Sequence, residues 1–333
     1  MHKVHHARLL VESAEREEAY ATHPVVMGKA HIATPAVKTT EERISELVYH
    51  REVGGYWTAP PRSGKTTALT LITEMIARKF PRAFVAVFGA KQHQAHSELA
   101  YFNDLLFDLG HGSVGGKASD KRVHFLKTII AKCRSKRSDY FVMFVDEGQN
   151  WQAFELGLLK DLENDLQRTA LITTLTIFFG HTNMEIERSK LLGHSRGDLV
   201  DRYLVESNEF PGVSSVEDMA EVLAAYDDPR LHQFPEGTEL CFSEFLLPLA
   251  YNHGWRLATE ADGAWAAFRQ AAPFQVDQTR ISTSMNIVAR SVRNFFFIVR
   301  DRESKETWGQ GIWFDAIRPA QRRKDPSGAE QEQ

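Results

Sequence analysis

Apolar positions follow two patterns along this chain. Up to about residue 210, short dense apolar runs alternate with longer stretches whose apolar residues recur every three or four positions. The runs at 55–58, 83–88, 140–145, 175–179 and 203–205 predict five strands. The periodic stretches predict helices at 66–79 (Leu69, Ile72, Met75 and Ile76 inward), 96–109, 122–134, 154–167 and 184–192. An earlier helix follows the capping box Thr39-Thr40-Glu41-Glu42, carries Ile44, Leu47 and Val48, and closes at Gly54-Gly55. Strands alternating with helices imply a parallel sheet covered on both faces, with ligands at the C-terminal ends of its strands. After Pro211 the strand signal fades, and helices are predicted at 215–226, 243–252, 259–271 and 282–300. The expected organisation is an N-terminal helical appendage at 1–28, an α/β core at 29–210, a mostly helical unit at 211–318 and a disordered tail at 319–333.

Composition narrows the class. The chain has 333 residues and a formal net charge of −4, with the apolar and charged fractions of an ordinary globular protein. Its densest apolar run, 295–299, is far too short to cross a bilayer, and the first residues lack a signal-peptide core. A cytoplasmic protein without membrane contact is expected. Cys133 and Cys241 stand alone, giving neither a disulfide framework nor a zinc signature. His2, His5 and His6 read as a solvated end, and the six tryptophans as packing residues. Charge is uneven, however. Lys117, Lys121, Arg122, Lys127, Lys132, Arg134, Lys136 and Arg137 face only Asp120 within an insert at 111–137. Such a window attracts polyanions, although a solvated helix face has the same composition.

The sharpest chemical signal is APPRSGKT, Ala59 to Thr66, between a predicted strand and a predicted helix. Consecutive backbone N–H groups in such a loop curl around phosphate oxygens. Pro60 and Pro61 donate no N–H, so the cage falls to Arg62, Ser63, Gly64, Lys65, Thr66 and Thr67. Gly64 permits close approach, Lys65 reaches the outer phosphates, and the Thr66 hydroxyl suits Mg²⁺. A purine nucleoside triphosphate is the expected ligand. The strand FVMFV ends in Asp146-Glu147. Asp146 is placed to hold the metal through water, and Glu147 to orient or deprotonate the attacking water. Asn183, just past the fourth strand, can reach the γ-phosphate or that water, with His181 and Thr182 as competitors. Arg202, ahead of Arg188 and Arg196, is placed to complete a neighbouring subunit's site.

Together these residues resemble an AAA+ ATPase: a P-loop, an Asp-Glu box, a polar residue after strand four, an arginine before strand five and a helical lid. APPRSGKT, FVDEGQNW with its polar pair Gln149-Asn150, and the basic insert resemble the TnsC/TniB transposition ATPases. That resemblance implies ATP and Mg²⁺ as cofactors and a slow, regulatory ATPase. It implies a homo-oligomeric ring or filament on double-stranded DNA, linking a TniQ-type target selector, sometimes carried by a CRISPR effector, to a DDE transposase. It also implies phosphate-backbone contacts from the insert, Lys117 and Lys121 first, then Arg122 and Lys127, independent of base sequence and sensitive to salt. Arg280 lies near the place of a lid arginine. The same motifs also suit an AAA+ ATPase that remodels proteins without DNA, or a nucleotide-gated scaffold with negligible hydrolysis.

Overall fold

The computed structural model describes residues 9–11, 13–60, 64–112, 115–210, 212–272, 283–300 and 308–321. The chain divides into two compact units: Ala36–Phe210, and Met1–Pro35 together with Pro211–Gln333.

The first unit is built on five parallel strands: β1 (Gly54–Thr58), β2 (Phe84–Gly89), β3 (Tyr140–Asp146), β4 (Thr173–Gly180) and β5 (Ser207–Glu209). Their order across the sheet is β2-β3-β4-β1-β5. The expected α/β class, with a five-stranded parallel sheet between helices, is the fold observed. Central strand β3 reads as a continuous apolar run, and β4 as an apolar run interrupted by Thr176, because both of their faces are covered. One face packs Ile44, Leu69, Ile72 and Ile76 against Val142, Phe144, Ile177 and Phe179. The other packs Phe102, Leu105, Phe125 and Ile129 against Phe141, Met143 and Phe178. Register places Gly89 beside Asp146 and Thr58 beside Gly180, so the loops leaving β1, β3 and β4 emerge along one edge.

The fifth strand differs from expectation. Residues 203–205 do not form it; Tyr203 instead ends the helix Gly197–Tyr203, which buries Leu199, Val200 and Tyr203 on one face. The real strand, Ser-Asn-Glu, is a polar edge strand with no apolar run to announce it. The helix expected at 122–134 starts a turn earlier, as Ala118–Ser135, because the Asp120 carboxylate accepts the Lys117 N–H at 3.2 Å.

The second unit is helical among its described residues, apart from isolated bridges such as Val213 with Thr283. Pro248 splits the helix expected at 243–252 into Phe242–Leu246 and Pro248–Asn252. Leu9, Val25 and Ile32 share this unit's core, so the segment read as an appendage clusters with the C-terminal helices. A further helix, Gly309–Gln321, was not visible in the pattern. Buried Glu260 anchors it, accepting N–H groups from Trp255 Nε1 (3.0 Å), Trp308 (2.9 Å), Gly309 (3.0 Å) and Trp313 Nε1 (3.3 Å). The helix runs into the segment expected to be a tail; residues 322–333 lie outside the described residues. No helix among the described residues is long and apolar enough to cross a membrane.

Candidate functional site

The site lies at the C-terminal edge of the sheet. The Ala59 N–H donates to the Gly180 carbonyl at 3.1 Å, tying the segment that leaves β1 to the end of β4. Gly64 has φ +94° and starts the helix Lys65–Lys79 without a side-chain cap. Only glycine takes that backbone easily, and the uncapped first turn leaves N–H groups for an anion. Lys65 is buried, with Nζ 3.4 Å from the Ala59 carbonyl, so its ammonium turns back toward the end of β1. Thr66 and Thr67 are exposed on the first turn. Arg62 and Ser63 lie outside the described residues, as does Arg280.

Thr66 meets the end of β3 directly: its hydroxyl donates to Asp146 Oδ2 at 2.8 Å. The other Asp146 oxygen accepts the Glu147 N–H at 2.9 Å. A hydroxyl and a carboxylate oxygen side by side at a helix N-terminus form a hard-oxygen pair suited to Mg²⁺ beside phosphate. Glu147 is exposed and has φ +56°, a left-handed backbone uncommon for a non-glycine residue.

A short turn, Gly148–Asn150, follows. Gln149 Nε2 donates to Glu147 Oε2, while Gln149 Oε1 accepts the His181 N–H at 2.9 Å. Asn150 Nδ2 donates to the Ala90 carbonyl at 2.8 Å, fixing the turn to the loop after β2. Beyond β4, the ring nitrogen Nδ1 of His181 accepts the Asn183 N–H at 3.3 Å and lies 3.1 Å from the Thr182 hydroxyl. Asn183 itself is exposed at the start of the helix Met184–Gly193. The fold therefore gathers Lys65, Thr66, Asp146, Glu147 and the 181–183 loop on one edge. Gln149 is the member that sequence reasoning did not place. The sequence marks it only as half of the polar pair Gln149-Asn150 after the acidic residues, with no role attached.

The three arginines considered for a neighbour's site are engaged within their own chain. Arg202 bonds Glu163 at 3.4 Å and Asn164 Oδ1 at 3.1 Å. Arg188 donates to the Leu204 carbonyl at 2.9 Å, and Arg196 pairs with Asp198 at 3.0 Å. Glu163 is buried under the sheet, and burial raises its carboxyl to about 7, against the pull of the Thr176 and Tyr203 hydroxyls and Arg202.

The basic insert is less uniform than its composition suggests. Lys121 is 5% exposed, turned inward by helix phase, and so is poorly placed for an outer contact. Arg122 is paired with Asp165 at 2.6 Å. Lys117 and Lys127 are exposed. Lys127 and Lys132 line an open groove of about 830 Å³ together with His111, His124 and Asp120.

No family model matches the chain, and no curated protein does. Among solved structures, the Aeropyrum pernix Orc1 protein in complex with DNA superimposes with a TM-score of 0.49 and 11% identity, over 89% of this chain and 68% of that one. Cdc6p from Pyrobaculum aerophilum gives 0.41 and 13%, over 86% and 80% of the respective chains. Drosophila ORC bound to DNA gives 0.40 and 15%, over 85% and 58%. Likeness of this extent assigns no function; the strand order and the edge geometry describe this chain on their own.

Proposed function

We propose that this chain is an ATP-dependent, DNA-binding AAA+ ATPase that oligomerises on duplex DNA and connects target selection to transposition. The 2.8 Å contact between Thr66 and Asp146, at the uncapped start of the Lys65–Lys79 helix, carries the reading. A triphosphate there meets backbone N–H groups, the Lys65 ammonium and the Thr66 hydroxyl together. Thr66 and Asp146 are the residues that would hold Mg²⁺, whose chemistry is to neutralise charge developing on the phosphates. Glu147 orients the attacking water and accepts its proton. Asn183 reads the γ-phosphate. Arg202 completes the site of a neighbouring copy, exchanging its bonds to Glu163 and Asn164 for phosphate oxygens.

DNA binding is assigned to the outer face of the insert, through Lys117 and Lys127 with Lys132. Side chains of this kind bind phosphates irrespective of sequence, as a protein tolerant of many targets requires. The partners, a TniQ-type selector and a DDE transposase, follow from the motif resemblance in APPRSGKT and FVDEGQNW and from the basic insert.

The test is duplex-DNA binding with a non-hydrolysable ATP analogue, followed by electron microscopy of the bound species. Nucleotide-dependent rings or filaments on DNA are expected. ATP binding without DNA affinity at low salt would leave a protein-remodelling ATPase and remove the transposition reading.

A further inference from the structure

We propose that Gln149 is a positioning residue, coupling Glu147 to the loop after β4 so that the water-directing carboxylate and the γ-phosphate-reading loop move as one. The proposal rests on the role given to Glu147 above.

The orientation of the Gln149 amide is fixed by its partners. A carboxylate only accepts and a backbone N–H only donates, so the NH₂ must face Glu147 and the oxygen must face His181. Its backbone has little freedom. The Asn150 N–H bonds the Glu147 carbonyl at 2.9 Å, and the Trp151 N–H bonds the Gly148 carbonyl at 3.1 Å, closing the turn. Asn150 and buried Trp151 then hold the turn from the far side.

Two glycines make the bridge sterically possible. A Cβ on Gly180 would sit 2.8 Å from Gln149 Oε1 and 2.2 Å from Met184 Sδ. A Cβ on Gly148 would sit 2.8 Å from Phe178 Cδ1. The end of β4 is thus bare where the glutamine crosses it. The same Gly180 accepts the Ala59 N–H, so the bridge reaches the phosphate loop through one residue. Among the described residues, Gln149 is the only side chain bonded to the Glu147 carboxylate, and it uses Oε2, leaving Oε1 to receive a proton from water. Displacement of the 181–183 loop by a phosphate is passed to Glu147 through one rigid amide.

The experiment measures steady-state ATP hydrolysis and ATP-analogue affinity for the full chain and two variants. Gln149→Met keeps the length and removes both bonds. Gln149→Glu keeps the acceptor for His181 and sets a like charge against Glu147. Both are expected to lower kcat by roughly tenfold or more while KM and analogue affinity stay within about threefold. In the Glu147→Gln background, Gln149→Met should cause no additional loss, because the carboxylate it positions is gone. Parent-like turnover in Gln149→Glu overturns the coupling, as does a full additive loss in the double variant. A parent chain that neither binds nor hydrolyses ATP overturns the reading of the site itself, a separate result.

Discussion

Glu147 and Glu260 are both carboxylates with a glycine and a tryptophan within five positions, yet their surroundings are opposite. Glu260 is buried and accepts four N–H groups, two of them from indoles, which lock the Gly309–Gln321 helix into its unit. Glu147 is exposed on a left-handed backbone and receives one side-chain bond among the described residues. A polar group whose capacity is filled internally holds shape, whereas one with capacity to spare is available for chemistry.

Substitutions should separate the two roles cleanly. Glu147→Gln is expected to cut ATP hydrolysis by roughly 10²–10⁴-fold with analogue affinity nearly unchanged; phosphate release and equilibrium binding check it. If turnover survives, the contrast with Glu260 fails at its functional end. Glu260→Ala should cost about 3–5 kcal/mol in urea denaturation, since it strands several buried donors. A loss below about 1 kcal/mol would show that the cage is dispensable.

Two smaller effects sharpen the comparison. Lys117→Glu and Lys127→Glu should each flatten the slope of log affinity for duplex DNA against log salt by about 0.9. Lys121→Gln should leave the slope unchanged, because that side chain is buried. The smallest effect concerns Glu163, a filled carboxylate of the Glu260 kind. Its carboxyl is raised from 4.5 to about 7 by burial, so the folded chain keeps a proton that the unfolded chain has released. That contribution is complete below pH 4.5 and declines as pH rises through 7. Between pH 6 and 8 the parent should lose roughly 1 kcal/mol that Glu163→Gln does not lose. Parallel pH curves for the two proteins would contradict it.

What the sequence made legible was contiguous. The meeting of the Lys65-Thr66 turn with the acidic pair could be read because each is a short string set on an apolar run with a clear period. β5 escaped because an edge strand of Ser, Asn and Glu carries no apolar signature, while the neighbouring Tyr203 run, buried by a helix, imitated one. Lys121 was misplaced because a basic window says nothing about helix phase. The Gly309–Gln321 helix and the Glu260 cage were hidden for another reason: their partners lie about fifty positions apart and meet only through packing. The Gln149 bridge depends on the β3–β4 register, which pattern alone does not supply.

The left-handed turn at Glu147 has a consequence for how this protein can change. A backbone with φ +56° favours glycine by about 1 kcal/mol over other residues. Glu147→Gly should therefore fold at least as well as the parent. On the proposed reading, a lineage that no longer hydrolyses ATP would be expected to shed this acid early, since the polypeptide would forgo only the Gln149 bond.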